Sequence, residues 1–161
     1  MNENNSQNAV NALLEEYVRT IGQLKDVIRQ IPNSYLIKTV DFTTENSDCK
    51  SIQTLLSHII NSGYAYCVYI QKLKNENAER PKKLFHLAIA DYETDLDTLV
   101  QYTYKTFEKI SDFELEEFDD DKKIITSWGQ IYDIEQMMEH AIVHVLRHRR
   151  QIEKFLILLD K

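Results

Sequence analysis

The sequence predicts an all-α fold, a four-helix bundle with a long loop between its third and fourth helices. Three observations predict it. Only three glycines and two prolines punctuate 161 residues, which favours a few long elements over many short strands joined by tight turns. Apolar residues recur at three- and four-residue steps in four separate runs, the repeat of a helix that buries one face. A hydrophobic share of 43% is enough for one sizeable core, and no internal repeat divides the chain. Residues 1–161 are therefore read as a single bundle domain, with the polar residues 1–6 as a flexible tail.

The first run carries Val10, Leu13, Leu14, Tyr17, Val18, Ile21, Leu24 and Ile28, and Pro32 marks its end. A connecting stretch, NSYLIKTVDFTTENSDC, leads to Ser47 and Asp48, either of which suits the cap of a second helix. That helix places Ile52, Leu55, Leu56, Ile59, Tyr66, Ile70 and Leu73 on one face and fades into the polar KNENAERP. Beyond Pro81, Phe85, Ile89, Tyr92, Leu96, Leu99, Thr103 and Ile110 form the third run. Residues 111–130, with clustered acids and a Trp-Gly pair, break the pattern and read as a long loop over one end. Loops of that length are more often functional or mobile than neutral. The last run starts near Ile131 or Asp133 and carries Ile134, Met137, Met138, Ala141, Ile142, Val145, Ile152, Phe155, Leu156 and Leu159.

Composition narrows the function. A net charge of −7 repels nucleic-acid phosphate and anionic lipid, and the basic residues are scattered apart from Arg147, Arg149 and Arg150. Cys49 and Cys67 lack CxxC spacing and read as free thiols. MNENNSQN has no leader-like pattern, and the longest strongly apolar stretch, FLILL, is far too short to span a bilayer, so the expected location is the cytoplasm.

Within EHAIVHVLRHRRQIEKF, residues 139–155, His140, His144 and His148 follow one another at four-residue steps. On a helical wheel His148 falls inside the apolar stripe, while His144 and then His140 each step about 40° further toward the surface. The inner pair are the better ligand candidates. On the second helix His58 lies just outside the stripe, with Ser62 and Ala65 leaving room around its ring. Facing helices of a bundle can build a metal site from inward side chains, and three nitrogens with an open position is the pattern of a catalytic zinc site. Nitrogen-only ligation suits Zn, Ni, Cu or Fe better than Mg or Ca. The HExxH protease pattern is absent, since Ala141 and Val145 follow the first two histidines.

The competing reading is plain. A helical histidine is more often hydrogen-bonded or solvated than metal-bound, and Met137, Met138 and the nine tyrosines read as core filler. Cys67 points away from His58. His86 is expected to face solvent. His140 and Gln151 are candidates to support the ligands, Gln151 because it lies near His144 on the wheel, and the loop bearing Trp128 is a candidate for the site mouth.

The segment HVLRHRRQIEKF resembles the HxxxHRxQ signature in the last helix of the DinB/YfiT-like superfamily, and LLSHIINSGY resembles that family's second-helix histidine segment. The order of four helices matches over nearly the whole chain. In that family the second-helix histidine and the HxxxH pair bind a divalent metal, which implies His58, His144 and His148 as ligands here. One departure is Arg150, which stands where the family often has glycine and projects away from the stripe. Family members include transferases and isomerases that use low-molecular-weight thiols such as bacillithiol or mycothiol.

The resulting expectation is a cytoplasmic metalloenzyme holding zinc, with nickel or iron as alternatives. It would activate a thiol such as bacillithiol, as an S-transferase, or water, as a hydrolase, against a small-molecule electrophile, with no nucleic-acid or membrane partner. The alternative is a non-catalytic, dimeric interaction protein in which the metal is structural or absent.

Overall fold

The computed structural model describes residues 7–161; the segment read as a tail, 1–6, lies outside them. Four helices make up the architecture among the described residues: α1 (Asn8–Ile28), α2 (Ile52–Leu73), α3 (Ile89–Phe107) and α4 (Ile134–Leu159). The fold is an all-α four-helix bundle.

Each helix starts where a backbone N–H finds an acceptor. Ser51 and Thr54 form a reciprocal capping box for α2, and Asp133 and Gln136 form one for α4. Ser47 and Asp48, expected to cap α2, belong instead to a separate 3-10 turn at 47–49, so the cap is Ser51. The other two starts borrow acceptors from distant segments. The Asp112 carboxylate accepts from the Asn8 and Val10 amides of α1, and Asn33 Oδ1 accepts from the Ile89 amide of α3. No local sequence pattern announces such caps, which is why α3 begins later than its apolar run. Phe85 lies outside it and is exposed, and Ile110 is buried just past its end.

Around the bundle, α1 packs on α4, α4 on α2, α2 on α3, and α3 back on α1. Consecutive helices α1 and α2 are thus diagonal, as are α3 and α4. Diagonal partners need long connections, and both connections are long. The interior is one continuous apolar cluster with Leu24, Ile28, Leu36, Ile52, Leu55, Leu56, Ile70, Leu96, Met137 and Ile152 fully enclosed. Each such side chain contributes about 1.5–3 kcal/mol of burial free energy. Gly63 lets α2 and α3 approach closely, since a Cβ there would meet Leu99 Cδ2 at 2.5 Å.

The 108–133 connection has more structure than a plain loop. It holds two 3-10 turns and a two-stranded antiparallel hairpin, β1 (Ile124–Ile125) and β2 (Ile131–Tyr132), closed by Gly129 at φ +87°. The Ser127 amide donates to Tyr69 Oη on α2 at 2.9 Å, which fixes the hairpin tip against the bundle. Among the described residues, no helix is long and apolar enough to cross a membrane.

Candidate metal centre

The seam between α2 and α4 holds the histidines. His58 packs on His148, and Tyr66, two turns further along α2, packs on His140, two turns earlier on α4, so the two helices run antiparallel here. His58 Nε2 lies 3.0 Å from His144 Nε2, which lies 3.2 Å from His148 Nε2. The three residues offer ligand atoms within 4.8 Å of one another, a group able to hold a metal ion.

The opposite ring nitrogens are anchored. His58 Nδ1 donates to Asp48 Oδ2 at 3.1 Å, and His148 Nδ1 donates to the Gln151 amide oxygen at 3.1 Å. A carboxylate and an amide oxygen only accept, so both Nδ1 atoms carry the hydrogen and both Nε2 atoms present lone pairs. His144 Nε2 can satisfy one of those lone pairs with a hydrogen, never both. At least one contact therefore presses a lone pair against a nitrogen with no hydrogen between them, and His144 Nδ1 is buried without a partner. A divalent cation among the three Nε2 atoms removes the repulsion, so this donor set fits such an ion.

Electrostatics agree with ligand duty. Burial, reinforced by the positive charge that neighbouring His148 and His58 would carry, pushes His144 down to about 2. Burial also takes His148 down to about 4, with Gln151 opposing, and lowers His58 against the pull of Asp48. All three rings are neutral near pH 7 and compete for a cation without displacing protons.

An open cavity of about 950 Å³ lies against this cluster, lined by His58, His144 and His140 together with Tyr66, Trp128 and Arg147. His140 faces it as part of an aromatic wall: its ring stacks on Trp128 at 5.3 Å and its Nδ1 is 3.4 Å from Tyr132 Oη. It stands outside the three-histidine group. Gln151 adjoins His148, where the wheel had put it near His144. Trp128 does line the cavity, carried there by the hairpin. His86, expected in solvent, pairs with Asp95 at 2.6 Å. Cys67 is buried beside Thr103, away from the cluster.

Sequence reasoning missed Asp48 and Lys83 as site residues. Asp48 Oδ1 accepts from Lys83 Nζ at 2.5 Å while its other oxygen holds His58, so the connector before α2 and the segment before α3 meet at the site. Both residues sit in aperiodic stretches, where neither spacing nor amphipathicity marks them. In the acidic run Asp119 to Asp121, the Asp119 and Asp120 carboxylates pair with Lys122, Lys123 and the Asp121 amide around their own turn.

Compared with known protein families, residues 1–159 match the model described as DinB family. No curated protein matches the chain.

Proposed function

The chain belongs to the DinB family, and on that footing we propose that it is a divalent-metal-dependent enzyme whose ion is held by His58, His144 and His148. One observation carries the reading: three Nε2 atoms converge beside an open cavity that His58 and His144 line, with the buried His148 behind them, and two of the three rings are fixed in orientation by Asp48 and Gln151. A zinc ion, or nickel or iron, bound there supplies Lewis acidity that favours ionisation of a thiol or water near neutral pH.

The chain's own residues do the remainder. Asp48 and Gln151 hold the tautomers that expose the Nε2 lone pairs, and Asp48 makes His58 a stronger donor. Tyr66, His140 and Trp128 build a wall that limits water and orients the reacting molecule. The cavity is large enough for a low-molecular-weight thiol such as bacillithiol together with a small electrophile, which supports S-transfer, with hydrolysis as the variant in which water takes the thiol's place. An open cavity against the ligands also favours an enzyme over an interaction protein with a closed, structural metal.

The test is elemental analysis of tag-free protein purified without chelator or nickel resin, beside His58→Ala, His144→Ala and His140→Ala. About one metal per chain in the wild type and in His140→Ala, lost in the other two, is the expected result. Equal loss in all three variants, or wild-type protein that takes up no added Zn, Ni or Fe, would overturn the reading.

A further inference from the structure

The cavity is opposite in sign to the molecule that surrounds it. The chain bears a net charge of −7, yet Lys72, Arg80, Lys83 and Arg147 line the cavity against Asp48 and Glu79. Lys83 and Asp48 neutralise each other. That leaves two guanidinium groups and an ammonium facing one carboxylate, and none of the three cations is in an ion pair among the described residues.

These cations come from separate elements. Lys72 stands on the last turn of α2, Arg80 on the segment between α2 and α3, and Arg147 on α4 between His144 and His148. Like charges drawn together from three elements cost free energy unless a counter-charge visits them. All three are exposed, and Arg147 stands near enough to the cluster that its charge opposes protonation of His58, His140, His144 and His148 alike. Arg149, its neighbour two residues on, is occupied elsewhere, donating to Gln23 of α1. On the same cavity, Trp128 keeps 44% of its surface exposed, although Tyr66, Tyr69 and His140 hold its ring in place. A fixed, half-open indole on the same cavity as guanidinium groups suits a ligand with a flat apolar body and a charged end.

We propose that this cavity binds a small organic anion, its carboxylate or phosphate held by Arg147, Arg80 and Lys72 and its flat body laid against Trp128. A guanidinium fork matches either oxyanion, and a cationic pocket on an acidic surface concentrates anions where the rest of the molecule repels them. The inference deepens the metal-dependent reading by naming the class of molecule that reacts at the histidines. Binding itself needs only the cations and the aromatic wall.

Trp128 is the only tryptophan in the chain, so its fluorescence, excited where tyrosine does not absorb, reports the cavity directly. Zinc-loaded and metal-free protein would each be titrated with benzoate, phenyl phosphate, benzamide and benzylamine, four probes of similar body and different charge. At least one anion is expected to give a saturable change at tenfold or more lower concentration than benzamide or benzylamine, and the tighter of the two anions identifies the oxyanion. Arg147→Gln should weaken that anion about tenfold and leave benzamide unchanged, Arg147→Lys should recover part of the loss, and Arg80→Gln, in an exposed coil, should act in the same direction. Benzamide or benzylamine binding as well as the anions, no saturable change with either anion, or anion affinity indifferent to both substitutions would each overturn the proposal. Zinc stoichiometry measured on the same samples separates the two readings: loss of metal binding counts against the histidine site, while the metal-free titration still decides the anion.

Discussion

At the scale of single residues, the informative atoms are the ring nitrogens that face away from the cluster. Asp48 and Gln151 decide which nitrogen of His58 and His148 carries hydrogen, and that choice turns the facing Nε2 atoms into donors for a cation. Replacing Asp48 by Asn keeps the shape and removes the charge; zinc affinity, followed by competition with a chromogenic chelator, should fall roughly tenfold with stoichiometry unchanged. Depressed histidine values also set the acid response of the metal-free protein. Above about 6.5, the ordinary histidine value, folded and unfolded chains both hold neutral rings and these residues contribute nothing to pH dependence. Below it the unfolded chain takes up protons that the folded chain refuses, down to about 4 at His148. Stability should therefore fall as pH drops through that window, by up to about 1.4 kcal/mol per pH unit for a histidine as buried as His148. Urea unfolding midpoints of metal-free protein at about pH 7 and about pH 5 check the sign. A midpoint that stays put or rises on acidification would mean that the rings are not held neutral.

At the scale of elements, the periodic residues were the legible ones. The apolar faces of α1, α2 and α4, and the inward order of His148, His144 and His140 on α4, follow from a 3.6-residue repeat that any reader can lay on a wheel. What the repeat cannot carry is the approach of one aperiodic stretch to another. The Asp48 contact to His58, the Asn33 and Asp112 caps, and the Lys83 bridge all join such stretches, and each depends on the finished packing. The two helical glycines show the same division. Gly22 on α1 and Gly63 on α2 look alike in sequence, but a Cβ at Gly22 meets nothing within 4 Å and one at Gly63 runs into Leu99 and Tyr17 Oη. Gly22→Ala should raise stability by up to about 1 kcal/mol through helix propensity. Gly63→Ala gains the same propensity, yet Leu99 is fully enclosed and must move at a cost of about 1–3 kcal/mol, so net destabilisation of about 1 kcal/mol is expected. Thermal melts of the pair decide it, and equal shifts of the same sign would contradict the close packing of α2 on α3.

At the scale of the whole molecule, a metal that joins α2 to α4 should act as a staple across the bundle. An ion bound only by the folded state, at a thousandfold excess over its dissociation constant, adds about 4 kcal/mol. For a domain of this length that corresponds to a rise in Tm of roughly 8–16 °C. Zinc should raise the Tm of metal-free wild type on that scale and leave His144→Ala nearly unmoved, as calorimetry would show. The bundle also divides its labour by kind of backbone. Helices supply the three histidines and, on the cavity wall, Tyr66, Lys72, His140 and Arg147, whereas Asp48, Glu79, Arg80, Lys83, Ser127 and Trp128 reach the cavity from the connections. A change in a connection leaves the buried helix faces intact, so substitutions or insertions there can alter which molecule enters while the core and the histidines stay in register. The architecture is thereby open to divergence in one respect and closed in another: descendants of such a chain can exchange substrates through their connecting segments long before they could exchange the chemistry at the seam.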